Sequence, residues 1–199
     1  MKKILYAVVA VVAVVAVLTS LILFPPKQQP PPQTFSFGFE NGLEDWMPDA
    51  DVPQDPNRPG ESVAWSIEVA GNVSFTGNKS ALLYIDGLQD DGTIWLERKI
   101  SIEPNAVKNV SVSFQFWSET ESFNEIAAVV GYVGIENPEV EEDFEILGGA
   151  NQAEGWKAYS FSSQVQADSS GDVYVALGIS VRWETHMTYF IDDIAINVE

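Results

Sequence analysis

Hydrophobic and polar residues alternate along three stretches of the chain, at positions 93–102, 109–117 and 172–182. Successive side chains of a β-strand point to opposite faces of a sheet, so a period of two predicts a strand with one buried face. In the second stretch the apolar face consists of Val110, Val112, Phe114 and Phe116, and the opposite face of Ser111, Ser113, Gln115 and Trp117.

Six further segments contain β-branched and aromatic residues between turn signals such as Asp91-Gly92 and Ser170-Gly171-Asp172. They are residues 35–39, 64–69, 81–86, 126–135, 156–163 and 188–198. No window of about twelve residues in this region has a helical stripe. The pattern therefore predicts an all-β fold, a two-sheet antiparallel β-sandwich.

The N-terminus differs from the rest of the chain, because no charged residue occurs from Ile4 to Phe24. A helix of this length would span roughly 31 Å, close to the hydrocarbon thickness of a bilayer. The alternative is a secretory signal peptide, but its apolar region is usually about 7–15 residues long and ends in a small-x-small cleavage site. We predict that residues 1–24 form one retained transmembrane helix. Because Lys2 and Lys3 precede its uncharged span, the positive-inside rule puts the N-terminus in the cytoplasm and the remaining chain outside the cell.

Composition changes again after this segment. Residues 25–33 (PPKQQPPPQ) contain five prolines, which favours a semi-rigid polyproline II linker. The domain that follows, residues 34–199, holds all 29 acidic residues and only seven of the ten basic ones, a difference of 22 charges. Such acidity argues against nucleic-acid binding. The lack of cysteine excludes disulfides and thiolate metal sites, and the single histidine, His186, gives little basis for a zinc site.

Four segments of the domain resemble, in order, motifs of galactose-binding-like jelly-roll carbohydrate-binding modules. Residues 39–46 (FENGLEDW) look like their F-E-x-G-x-x-x-W opening, and residues 77–82 (GNKSAL) resemble their G-x-x-S-L second-strand start. Residues 155–161 (GWKAYSF) resemble their W-x-x-Y-x-F strand, and residues 189–196 (YFIDDIAI) are similar to their closing Y-I-D-D-V-x-I. The resemblance implies a jelly roll that binds carbohydrate and is not an enzyme.

The resemblance also implies a structural calcium ion that holds the first and last strands together. Its ligands would be Glu40, oxygens around Gly77–Ser80 with Lys79 among them, and Asp192. A hard cation that takes six to eight oxygens would offset the repulsion between the two carboxylates. The alternative is that Glu40 and Asp192 are exposed, or paired with Lys79.

Strand alternation predicts which of two neighbouring aspartates is the inward one. Asp192 would share an apolar face with Phe190, Ile194 and Ile196, so we expect Asp192, rather than Asp193, to need a partner.

Tryptophan is frequent in this chain, with six residues, and flat aromatic side chains can stack on the C–H faces of pyranoses. Alternation puts Trp95 and Trp117 opposite the apolar stripe, and Gln115 shares the face of Trp117. With Trp183, these are the predicted ligand-binding residues. Two other tryptophans, Trp46 and Trp156, fall at positions that are usually core in the family, and residues 45–62 are the loop expected to cover part of an outer face.

Sequence motifs for catalysis are lacking. The chain has no nucleophile elbow, no glycine-rich phosphate loop and no H-E-x-x-H. The acidic run 139–145 lacks the E-x-D-x-x-E order of jelly-roll glycosidases and predicts a solvated loop, although a carboxylate pair formed across strands has no local signature.

The leading prediction is a membrane-anchored extracellular module that binds carbohydrate. The alternative is a cell-surface protein–protein or envelope-assembly domain on the same scaffold, because one fold serves many functions.

Overall fold

Eleven β-strands account for most of the part of the chain that the structure describes. The computed structural model describes residues 31–87, 90–183 and 185–199, without the side chains of residues 185–187. The strands are β1 (Gln33–Phe37), β2 (Met47–Asp51), β3 (Trp65–Ala70), β4 (Ser80–Gly87), β5 (Thr93–Ser101), β6 (Val107–Ser118), β7 (Ala127–Gly134), β8 (Glu145–Gly149), β9 (Gly155–Gln166), β10 (Asp172–Val181) and β11 (Thr185–Val198). Within the described residues the only helical element is a single 3₁₀ turn, Glu141–Asp143.

The strands form two antiparallel sheets. The six-stranded sheet has the order β3-β4-β11-β6-β9, and β1 pairs with the second half of β11. The five-stranded sheet has the order β2-β5-β10-β7-β8. This arrangement confirms the predicted all-β, two-sheet antiparallel sandwich.

Apolar side chains at alternate positions of the long central strands fill the space between the sheets. On β6, Val110, Val112, Phe114 and Phe116 are all buried in the core, and on β10 so are Val173, Val175, Leu177, Ile179 and Val181. Burial of these side chains removes apolar surface from water, which is the dominant favourable contribution to folding. The residues between them lie on the two outer faces, where those of β6 are partly exposed and Ala176 and Ser180 of β10 are buried.

Two edge strands of the five-stranded sheet are missing from the prediction. The sequences of β2 (MPDAD) and β8 (EILGG) do not alternate, and Pro48 cannot donate a hydrogen bond to a ladder. Both strands have one neighbour only, β5 or β7. Pairing with the rest of the sheet, rather than local propensity, therefore decides their conformation.

The predicted anchor, residues 1–24, and most of the predicted linker lie outside the described residues. In the described part, the first strand already starts at Gln33, which pairs with Val198, one residue before the predicted start of the domain. No helix among the described residues is long and apolar enough to cross a membrane.

An irregularity in β11 corrects one predicted face. The pairing of β11 with β6 shifts register between Asp192 and Ala195, and Asp193 has a φ of 48°. Such a bulge moves the following side chains to the other face. Ile194 and Ile196 therefore point into the core, while Phe190 and Asp192 lie on the outer side of the six-stranded sheet, so the prediction that all four share one face is wrong.

Candidate functional site

The connection between β7 and β8 folds over the outer face of the five-stranded sheet. We call residues 135–144 the cover segment. Its last residue, Phe144, lies against the ring of Trp95 at a centroid distance of 4.9 Å and against that of Tyr132 at 6.0 Å. The acidic run predicted as a solvated loop therefore ends in an aromatic contact with the sheet. Residues 45–62, the loop expected to cover an outer face, instead contribute the edge strand β2.

Three polar contacts of Glu141 hold the cover segment in place. One carboxylate oxygen forms an ion pair with Arg182 at 2.9 Å, and the other accepts a hydrogen bond from the Thr93 hydroxyl at 3.0 Å. The main-chain N–H of Glu141 donates to the carboxylate of Asp51 at 3.0 Å. The segment is thus tied to β2, to β5 and to the end of β10.

A cavity of about 510 Å³ lies where the cover segment meets the sheet. Its apolar wall includes Val130, Phe144 and Ile146, and its polar wall includes Asp51, Asp91, Glu141, Glu142 and Arg182. Val130 and Ile146 are cross-strand neighbours on β7 and β8, and Asp51 is the neighbour of Thr93. Half of the lining residues are charged, so the cavity is more polar than most small-ligand sites and suits a ligand rich in hydroxyl groups.

Trp95 lies on the predicted outer face of β5 but is fully buried, which corrects its assignment as an exposed ligand-binding residue. Phe144 covers its ring, and its indole N–H donates to the carboxylate of Glu97 at 3.1 Å. Burial raises the pKa of Glu97, and the charges of Asp49 and Glu139 raise it further. Trp95 therefore packs against Phe144, which lines the cavity, without lining the cavity itself.

The other predicted ligand-binding residues do not join Trp95. Gln115 and Trp117 lie on the outer face of the six-stranded sheet, on the opposite side of the sandwich. Trp183 follows Arg182 in the connection between β10 and β11, and its side chain is 60% exposed. The structure thus separates the four predicted residues into three places.

The other two discussed tryptophans differ from each other. Trp46 is buried in the core, as expected. Trp156 is half-buried on the outer face of the six-stranded sheet, where it pairs with Trp117 and contacts Phe75, so its assignment to the core is wrong.

The predicted calcium ligands lie around the loop between β3 and β4. One carboxylate oxygen of Glu40 accepts the main-chain N–H groups of Asn78 and Lys79 at 2.7 and 2.9 Å, and these bonds lower the pKa of Glu40. The ammonium group of Lys79 donates to the main-chain carbonyl of Glu40 at 2.7 Å. The predicted alternative is met only in part, because Lys79 contacts Glu40 through this main-chain carbonyl, whereas Asp192 is buried and bound to other N–H groups.

Asp192 is fully buried and holds the same loop from the other side. Its Oδ2 accepts the N–H groups of Phe75 and Thr76 at 2.8 and 3.1 Å, and its Oδ1 accepts that of Asp193 at 2.8 Å. Burial raises the pKa of Asp192, and these three hydrogen bonds oppose the rise. Asp192, rather than Asp193, is the buried carboxylate, as predicted, but it lies on the outer side of the sheet and not on the predicted core face.

This donor set does not fit a calcium ion as it is arranged. Calcium takes six to eight oxygen ligands. Here the carboxylates of Glu40 and Asp192 accept hydrogen bonds from N–H groups, and the main-chain carbonyl of Glu40 accepts one from the Lys79 ammonium. Among residues 31–87, 90–183 and 185–199, no group of three or more acidic or histidine side chains is placed to hold a metal ion. Calcium binding by Glu40, Lys79 and Asp192 stays a prediction.

Sequence reasoning missed the residues that form the cavity. Phe144 and Glu141 lie within an acidic run that looks solvated, and their partners Trp95 and Arg182 are more than forty positions away. One usable signal was Arg182, a rare cation in a very acidic domain, next to the exposed Trp183.

Comparison with known proteins gives the fold a context. No protein-family model matches the sequence, and no curated protein matches it. The structure is similar to carbohydrate-binding modules of the β-sandwich superfamily that are described as promiscuous in specificity, with a TM-score of 0.53 and 14% identity over 82% of this chain and 74% of that one. It is also similar to the xylan-binding domain CBM22-2 from Paenibacillus barcinonensis, with a TM-score of 0.51 and 16% identity over 83% of this chain and 99% of that one.

A third similar structure is the enzymatically active domain of tailspike protein 4 from bacteriophage CBA120. It has a TM-score of 0.51 and 9% identity, and the match covers 81% of this chain but only 20% of that one. At these identities the likeness shows a shared β-sandwich fold.

Proposed function

We propose that this chain is a non-catalytic carbohydrate-binding module and that its ligand occupies the cavity beside the cover segment. The observation that carries the proposal is the lining of this cavity, which combines Val130, Phe144 and Ile146 with four carboxylates and one guanidinium. The fold supports the proposal, because similar structures carry the names of carbohydrate-binding and xylan-binding modules.

The two walls match the two kinds of surface on a sugar ring. The C–H face of a pyranose is apolar and can pack on Phe144 and Ile146, while its hydroxyl groups need acceptors and donors. Asp91 and Glu142 supply carboxylate oxygens at the cavity wall, and Arg182 supplies guanidinium N–H groups. A sugar that displaces water from these groups must replace its hydrogen bonds, which gives the site its selectivity.

The charge of the cavity favours a neutral glycan over an acidic one. Four carboxylates line it, and its one lining cation, Arg182, is paired with Glu141. A uronic acid or a phosphate would therefore meet like charge, which costs binding free energy. The ligand class that we propose is a neutral polysaccharide.

We extend the proposal to the location of the protein. The apolar segment 1–24 would anchor the chain in the cell membrane and the proline-rich segment would hold the module outside the cell, where polysaccharides are found. Protease treatment of intact cells tests this: digestion of the module from outside is expected, and protection until the cells are lysed would contradict it.

Affinity electrophoresis in gels that contain single soluble polysaccharides tests the binding itself. The sample is the full-length chain in a detergent without a sugar headgroup, because a glycoside detergent would compete. Ile146 lines the cavity and is 59% exposed, and Ile135 is 42% exposed outside it. We expect retardation by at least one neutral polysaccharide, its loss in Ile146→Ser and its persistence in Ile135→Ser. No retardation by any polysaccharide, with stoichiometric co-purification of a surface protein, would support the protein-binding alternative.

A further inference from the structure

The outer face of the six-stranded sheet carries its side chains in cross-strand rows that run over β1, β11, β6 and β9. The strand register defines four rows: Thr34–Asn197–Ser111–Ser162, Ser36–Ala195–Ser113–Ser160, Asp192–Gln115–Ala158 and Phe190–Trp117–Trp156. Two rows thus consist of small hydroxyl, amide or methyl side chains, and one consists of aromatic side chains. Ser111 and Trp117 are six residues apart on β6, so the rows together extend about 20 Å along the strands.

The four rows carry little charge, whereas Glu68 on β3 continues the aromatic row of the same face beyond Leu82. Within the four rows, Asp192 is the only charged residue, and its carboxylate is fully buried and bound to N–H groups. The domain as a whole has 29 acidic residues against seven basic ones. The four rows therefore suit an uncharged partner better than an acidic or a basic one.

The polar rows form a shallow groove of about 340 Å³. Its lining consists of Ser111, Val112, Ser113, Ser160, Phe161, Ser162 and Asn197. Serine hydroxyls donate and accept hydrogen bonds, and the Asn197 amide can do the same. Such groups match the hydroxyl groups of a sugar chain without requiring a charge on either side.

The aromatic row lies farther along the strands than the groove, beyond the row of Gln115 and Ala158. Trp117 packs edge-to-face on Phe190 at a centroid distance of 5.3 Å, and Phe75 packs on Trp156 at 5.6 Å. Trp117 and Trp156 are half-buried, and Phe75 is 46% exposed. A cluster of partly exposed aromatic side chains beside a hydroxyl-lined groove offers the stacking surface that the groove lacks.

We propose that this outer face is a second binding surface, for a neutral polysaccharide chain. The sugar hydroxyls bond to the serine rows and to Gln115, and the apolar face of a terminal ring packs on Trp117 and Trp156. The inference rests on the proposed function only in taking the same class of ligand, since none of its residues lines the cavity beside the cover segment. Because the two sheets pack face to face, the two sites lie on opposite sides of the sandwich, so one module can bridge two polysaccharide chains.

Bridging and binding can be measured separately on the full-length chain. Ser113→Asp puts a charge in the middle of the neutral rows, and Trp156→Ala removes the aromatic end. The matched control is Ser101→Asp, at an exposed serine on β5 of the other sheet. Isothermal titration with an oligosaccharide counts sites, and light scattering with the long polysaccharide reports cross-linking.

We expect two sites per chain in the unmodified protein, with scattering that grows as protein is added. Ser113→Asp and Trp156→Ala should each weaken one site at least about tenfold, which corresponds to ~1.4 kcal/mol, and abolish scattering. Ser101→Asp should change neither. Ile146→Ser should leave the site on the six-stranded sheet intact.

Three results would decide against parts of this account. One site per chain that Ile146→Ser removes and Ser113→Asp leaves unchanged would overturn the second surface and keep the proposed function. No binding of any polysaccharide would overturn both. A chain that self-associates until Ser113→Asp makes it monomeric, with unchanged glycan binding, would assign the face to a second copy of the chain and overturn the proposal.

Discussion

The ring of Phe144, in the cover segment, lies 4.9 Å from the ring of Trp95 on β5, and Trp95 is fully buried. This contact joins a buried residue of β5 to Phe144, which lines the cavity, and so holds the acidic loop against the sheet. The ion pair of Glu141 with Arg182 holds the same segment at its other side. The candidate site therefore depends on a small number of long-range contacts.

Phe144→Ala should uncover Trp95. We expect a loss of about 2 kcal/mol of stability, below the usual range for a core phenylalanine because Phe144 is half-buried. Tryptophan emission should shift to the red and become easier to quench with acrylamide. The control is Phe123→Ala, since Phe123 is fully exposed. An unchanged emission spectrum in Phe144→Ala would contradict the packing described here.

Glu97→Gln should make the protein more stable at neutral pH. Burial raises the pKa of Glu97, so between the ordinary pKa of glutamate and the raised value the folded chain binds more protons than the unfolded chain. Stability is then lost as the pH rises through the folded-state pKa. Glutamine removes the buried charge and keeps an oxygen for the Trp95 N–H.

Thermal unfolding from pH 4 to pH 8 tests this prediction. The stabilisation by Glu97→Gln should grow with pH and fade toward pH 4. Glu119→Gln, at an exposed site, controls for the loss of one negative charge from an acidic domain. A gain that is the same at every pH, or the same in both variants, would rule out the buried carboxylate as its cause.

Gly77→Ala should destabilise the β3–β4 loop more than Gly60→Ala destabilises its own turn. Both glycines have positive φ, 61° and 91°, and in both an alanine costs about 1–2 kcal/mol in backbone strain. Only at Gly77 would the new methyl group collide with the Glu40 carboxylate that binds the Asn78 and Lys79 N–H groups. Chemical denaturation measures the free energy of unfolding of each variant. In a Glu40→Ala background, Gly77→Ala should destabilise the protein no more than Gly60→Ala does. A larger destabilisation by Gly77→Ala in that background would refute this explanation.

Asp192→Ala should lower stability equally with calcium and with a chelator. The substitution leaves the N–H groups of Phe75 and Thr76 without their acceptor, at a cost of about 3 kcal/mol. Unfolding midpoints of both proteins in calcium and in EDTA measure this. A calcium-dependent stabilisation of the unmodified protein that Asp192→Ala lacks would instead establish the metal site that the sequence resemblance implies.

The sequence predicted the fold well where one strand face is buried and the other is not. The alternation at Ser111–Trp117 gave both faces of β6 correctly, because side-chain period and burial agree there. It failed for β2 and β8, which are strands only because β5 and β7 pair with them.

The site was harder to predict because its parts meet only in the folded chain. Alternation gave the face of Trp95 but not its exposure, since Phe144 covers it from a distant part of the sequence. The bulge at Asp193 likewise puts Ile194 and Ile196 on the opposite face from Asp192, and strict alternation does not predict such a bulge.

The most direct test of the central claim is isothermal titration of the full-length chain with a neutral oligosaccharide of the class that retards it in gels. We expect saturable binding that Ile146→Ser weakens at least about tenfold, or ~1.4 kcal/mol, and that Ile135→Ser leaves unchanged. Binding that is identical in Ile146→Ser, or no binding of any neutral oligosaccharide by a folded chain, would contradict the assignment of the cavity as a glycan site.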